Sequence, residues 1–193
     1  AATSAKNSYP SVLQTLLGDD FEVKNFGRSG ATVINDYEER ADRYLPYVKC
    51  REFSDALKAK PDTVILMLGM NDANPTHHFN ENNGGPISEY YLEIYKKILS
   101  DIIAEFKKIT PSPAVYLAWT TEMKRVAGEL FSQSYVDNFT ENLVKIRKIQ
   151  EDIAKREQIP LIDTVSEMQN STYYSDGCHL TDEGYLKLAS IIY

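Results

Sequence analysis

Cysteine, histidine and tryptophan are all scarce in this chain of 193 residues, at two, three and one. Cys50 and Cys178 lie far apart and form neither a disulfide framework nor a paired ligand spacing, so they read as free thiols. His77 and His78 are adjacent on a loop and point in different directions, with no carboxylate or cysteine at a usual ligand spacing, so no metal is expected there. Positive charge is also short: 21 Lys and Arg stand against 28 Asp and Glu, a net charge of −7. Nucleic-acid binding needs clustered cations to neutralise phosphates, so that class of partner is excluded. No apolar run approaches the roughly 18 residues of a membrane-spanning helix. These features leave the compartment open, with a secreted or periplasmic setting favoured. Repeats, linkers and low-complexity segments are missing too, which points to one domain spanning 1–193.

What is present is an alternation of strand and helix patterns. Residues 22–26 (E-V-K-N-F) read as a short strand, and 62–68 (D-T-V-I-L-M-L) as a strand buried on both faces. Residues 114–119 give a third strand after Pro111 and Pro113, and 160–162 start a fourth. Between them, Tyr91, Tyr95, Ile98, Ile102 and Phe106 make one helical stripe, with Ser88 as its N-cap. Phe139, Leu143, Ile146 and Ile153 make another, and 182–193 form the last helix. Strands separated by helices predict a three-layer α/β/α fold with a parallel sheet and right-handed crossovers. In such sheets ligands bind at the carboxyl ends of the strands.

Three short motifs fall at those ends. The first visible strand leads into N-F-G-R-S-G-A-T (25–32), the second into G-M-N-D (69–72), and D-G-C-H-L (176–180) precedes the last helix. His179 is the candidate general base for a hydroxyl nucleophile. Asp176, three residues earlier, can accept from the other imidazole nitrogen and fix its tautomer. The Gly30 backbone N–H and the Asn71 carboxamide are candidate donors for an oxyanion. Asp72 is expected to tie down its own loop. No cofactor is required by this chemistry.

N-x-G-x-S-G-x-T, G-x-N-D and D-x-x-H, in this order, resemble blocks II, III and V of the SGNH hydrolases, also called the GDSL family. The similarity runs from Tyr9 and Pro10 to the end of the chain. It implies a flavodoxin-like SGNH hydrolase fold and a triad completed by Asp176 and His179, with Gly30 and Asn71 as oxyanion donors. The segment around Gly69 and Asn71 also looks like the branch containing sialate and other carbohydrate O-acetylesterases. The implied substrate is a small-molecule or carbohydrate ester carrying a short acyl group.

The family's first block, a strand ending in G-D-S with the nucleophilic serine, has no counterpart here. Ser4 and Ser8 follow no strand and no G-D pair. The nucleophile is therefore expected upstream of Ala1, on a strand near the centre of the sheet. Without that strand, main-chain donors and acceptors would stand unpaired in the interior.

Two other readings remain open. Gly27, Arg28, Ser29, Gly30 and Ala31 nearly match the G-x-S-x-G elbow of α/β-hydrolases, with Ser29 as nucleophile. A carbohydrate-binding pseudoenzyme could also keep the fold without the serine. Trp119, Tyr173 and Tyr174 could wall a pocket or sit at the edge of the core, and Arg28 reads as a solvated surface charge.

Overall fold

The computed structural model describes residues 5–35, 45–76, 85–125 and 131–193. Ser4, His77 and His78 lie outside the described residues. The helices are α1 (Tyr9–Leu17), α2 (Arg51–Lys58), α3 (Glu89–Lys107), α4 (Gln133–Glu157) and α5 (Asp182–Ile192). The strands are β1 (Thr63–Leu66), β2 (Ala114–Ala118) and β3 (Leu161–Ile162). They pair in parallel in the order β1-β2-β3, with Thr63 opposite Ala114 and Leu117 opposite Leu161.

Helices cover both faces, as the alternation predicted. Val64 and Leu66 of β1 and Val115 and Leu117 of β2 bury against a core shared with α2, α3 and α4. The expected stripes are there: Tyr95, Ile102 and Phe106 are buried in α3, and Phe139, Leu143, Ile146 and Ile153 in α4. Met67, just past β1, belongs to a smaller cluster built by Met168, Tyr174, Leu180 and Leu188 with Tyr9 of α1 and Tyr185 of α5. That side is thinner, and Ile65 of β1 is only half-buried, so β1 is not the doubly buried strand expected.

Two local expectations need correcting. Residues 22–26 have no regular secondary structure and join no ladder among the described residues. A strand exists only with a hydrogen-bonded neighbour, and here the segment is held by side chains instead. The Val23 N–H donates to Gln14 Oε1 at 2.7 Å, and the Tyr47 hydroxyl donates to the Phe26 carbonyl at 3.0 Å. Likewise β1 pairs on one side only among the described residues, with β2. Ser88 does occupy the N-cap of α3 with extended backbone, yet its hydroxyl makes no capping bond and lies buried without a partner among the described residues.

The start of α5 matters for the site because it anchors the loop before it. Thr181 caps the helix, its Oγ1 accepting from the Gly184 N–H at 3.2 Å, and Asp182 and Glu183 favour the positive end of the helix dipole. A Cβ on Gly184 would lie 2.3 Å from the Tyr173 carbonyl oxygen. Gly184→Ala must therefore push α5 away from the 173–181 loop. The expected cost is about 1–3 kcal/mol, read as a lowered denaturation midpoint. An unchanged midpoint would show that the helix start shifts freely.

Candidate active site

The loop of residues 175–179 is closed at its base by an antiparallel bridge between Tyr174 and Leu180 and by the Ser175 N–H donating to the His179 carbonyl at 2.8 Å. Gly177 turns the chain with φ 91, a conformation that costs other residues strain. The turn folds Asp176 back on Cys178 and His179. Its Oδ1 accepts from the backbone N–H of His179 at 2.8 Å and of Cys178 at 3.2 Å, and its Oδ2 lies 2.7 Å from His179 Nδ1.

Burial pushes the Asp176 carboxyl upward, but the two backbone N–H donors and the imidazole outweigh it and bring it down to about 2. An ionised carboxylate can only accept, so Nδ1 carries the proton. That leaves Nε2 with a lone pair and no partner among the described residues. The side chains of His179 and Asp176 are 60% and 53% exposed, so the pair faces solvent, not the core.

The second half of the site is built from the loops after residue 27 and after β1. The Asn71 Nδ2 donates to the Ala31 carbonyl at 2.9 Å, which ties its carboxamide to the segment that follows Gly30. Gly30 has φ 75, and its N–H has no partner among the described residues. Asp72 bonds its own backbone N–H, in the loop where it was expected to act, and also reaches the other loop. Fully buried, it accepts from the Val33 N–H at 2.9 Å and the Ile34 N–H at 2.9 Å. A buried carboxylate thus links the segment that carries Gly30 to the loop that carries Asn71.

Both halves sit at the carboxyl edge of the sheet. The strands are parallel, and the chain after β2 reaches the histidine loop directly: the Lys124 N–H donates to the Gly177 carbonyl at 2.7 Å. No hydrogen bond among the described residues joins the Asp176–His179 pair to Asn71 or Gly30. A depression of about 390 Å³ lined by Lys107, Ala114, Glu157 and Pro160 lies at the opposite, amino edge. Ser29 stands on an exposed turn with neither a strand before it nor a helix directly after it, so the strand-to-helix junction that an elbow requires is missing there.

The other candidates divide. Tyr174 is core, its hydroxyl donating to the Met168 carbonyl at 2.9 Å. Trp119 is half-buried with the Arg147 guanidinium 5.8 Å from its ring centre. Arg28 lies 3.7 Å from Glu52 on the surface.

Sequence reasoning missed the polar side of α4. Gln150 donates to the Leu68 carbonyl and to the Tyr95 hydroxyl, both at 2.9 Å, directly beneath Gly69. Asn142 accepts from the Ile87 N–H at 2.7 Å and donates to the Ala73 carbonyl at 3.0 Å. The signal was available, since Gln150 falls in phase with the apolar stripe of Leu143, Ile146 and Ile153.

Residues 1–187 match the sequence profile of the GDSL-like lipase/acylhydrolase family. The chain belongs to this family. Among its relatives is an acetylxylan esterase of Xylanibacter ruminicola, 29% identical over 97% of this chain. The match covers 38% of that protein, so the chain spans well under half the length of this curated relative. Solved structures also match along nearly the whole chain. An aryl esterase of M. smegmatis gives a TM-score of 0.70 at 18% identity, covering 98% of this chain and 84% of that one. A carbohydrate acetylesterase family member from Sinorhizobium meliloti gives 0.64 at 19% identity, with the same coverage. At these identities the superpositions establish the fold. Among the described residues, no helix is long and apolar enough to cross a membrane.

Proposed function

We propose that this chain carries the acid–base and oxyanion machinery of a serine esterase that removes acetyl or other short acyl groups from a carbohydrate. The observation that carries the reading is the 2.7 Å contact between Asp176 and His179 Nδ1, which leaves Nε2 as a solvent-facing base. Family membership and the names of the relatives support the substrate class. In this reading His179 Nε2 takes the proton from a serine hydroxyl as that oxygen attacks the ester carbonyl. Asp176 holds the imidazole tautomer and stabilises the imidazolium. The Gly30 N–H and the remaining Asn71 N–H donate to the oxyanion. His179 then gives its proton to the departing sugar alcohol, and a water repeats the sequence to release the acid. The serine belongs to the family's G-D-S block, and Ser29 only shapes the oxyanion loop.

The test is hydrolysis of p-nitrophenyl acetate and of an acetylated xylan by the protein that includes the G-D-S block, with acetyl preferred over longer acyl chains and no metal added. Asn71→Ala is expected to lower turnover by about 10²–10³-fold, the usual effect of losing one oxyanion donor. A covalent fluorophosphonate should still label the Ser29→Ala variant. Activity that a chelator abolishes and zinc restores would overturn the reading, as would a probe mapped to Ser29. Absence of both turnover and labelling would favour the pseudoenzyme.

A further inference from the structure

The D-G-C-H turn places a third group against the Asp176–His179 pair. Cys178 Sγ lies 3.4 Å from His179 Nδ1 and 3.5 Å from Asp176 Oδ1. Single ligand atoms from the three side chains all lie within 4.8 Å of one another. Tetrahedral zinc, with bonds of about 2.3 Å to sulfur and about 2.0 Å to nitrogen or oxygen, sets sulfur about 3.5 Å from its neighbouring ligands. The sulfur edges, to His179 Nδ1 and to Asp176 Oδ1, already have that length, and the hydrogen bond between Asp176 Oδ2 and Nδ1 must break for Nδ1 to bind. The turn is also built for it, because Gly177 directs Cys178 back over Asp176 and two backbone N–H groups hold the carboxylate.

We propose that Asp176, Cys178 and His179 form an inhibitory site for zinc or a similarly soft divalent cation, with an open fourth position for water. The consequence for the reaction rests on the catalytic reading above. On binding, the thiol proton leaves to solvent and sulfur binds as thiolate. The imidazole proton moves through solvent from Nδ1 to Nε2, and Nδ1 binds the metal. A histidine held as the Nε2–H tautomer has no lone pair left to accept a hydroxyl proton, so the esterase is switched off without unfolding. Thiolate and imidazole select zinc and cadmium over magnesium and calcium.

The test pairs binding with turnover in the protein that carries the G-D-S serine. Cobalt is expected to give one equivalent of a thiolate-to-metal charge-transfer band, displaced by zinc. The band should be lost in Cys178→Ser and kept in Cys50→Ser, whose thiol is buried elsewhere and donates to the Pro46 carbonyl. Zinc should inhibit ester hydrolysis while magnesium does not. Cys178→Ser should need at least tenfold more zinc for half inhibition of its own metal-free turnover. Equal zinc sensitivity in Cys178→Ser, or a cobalt band that survives it, would overturn the site. A band that disappears in Cys178→Ser in a protein without turnover would support the metal site and overturn the catalytic reading instead.

Discussion

Replacing His179 with alanine is expected to lower turnover of an acetyl ester by about 10⁴-fold or more while leaving the fold intact. The magnitude comes from the role, since removing the base of a serine–histidine pair removes proton transfer in both half-reactions. The fold should survive because the imidazole is mostly exposed and bonds to Asp176 on the same turn. Asp176→Asn probes the same unit differently. The carboxamide can still accept the two backbone N–H bonds, but it can also present its own N–H to Nδ1 and so favour the wrong tautomer. A loss of similar order is expected, with an unchanged denaturation midpoint. Because the Asp176 carboxyl is held down at about 2, its protonation does not account for activity lost in mildly acid solution. A His179→Ala protein that keeps near-full turnover would remove the histidine from the mechanism.

Asp72→Ala is expected to destabilise the protein by about 3–5 kcal/mol and to slow catalysis as the Gly30 loop comes loose. The carboxylate is fully buried, and its removal strands the Val33 and Ile34 N–H groups in the interior. Each unsatisfied donor costs about 1–3 kcal/mol, and a small cavity adds to that. The residue also predicts a pH dependence of stability. Burial pushes its carboxyl up to about 7, against the pull of the backbone donors. In the unfolded chain the same group titrates near the ordinary aspartate value of about 3.9. A raised folded value means the contribution is complete below about pH 4 and is lost as pH rises through 7. The span is on the order of 4 kcal/mol. Asp72→Asn keeps an oxygen acceptor without the charge, so its stability should stay flat over that range and exceed that of the parent at pH 8. Parallel pH profiles for the two proteins, from urea midpoints, would show that Asp72 is not the titrating group.

The sequence alone determined whatever depends on short-range pattern. Helical periodicity identified the buried faces of α3 and α4 through Tyr95, Ile102, Leu143 and Ile146, because side chains three and four apart share a face wherever the helix goes. The i to i+3 spacing of Asp176 and His179 likewise announced their contact, since one turn suffices to make it.

Only the tertiary structure could decide what depends on partners distant in the chain. Residues 22–26 have a strand's composition but join no ladder among the described residues, because pairing is set by a neighbour and not by propensity. Asp72 reaches across 39 residues to Val33, and Gln150 across 82 to Leu68. Nothing in either motif says which buried backbone group will need an acceptor or donor. Cys178 is a free thiol, as its spacing from Cys50 implied, but only the positive φ at Gly177 turns it onto the carboxylate and imidazole, a backbone geometry no spacing encodes.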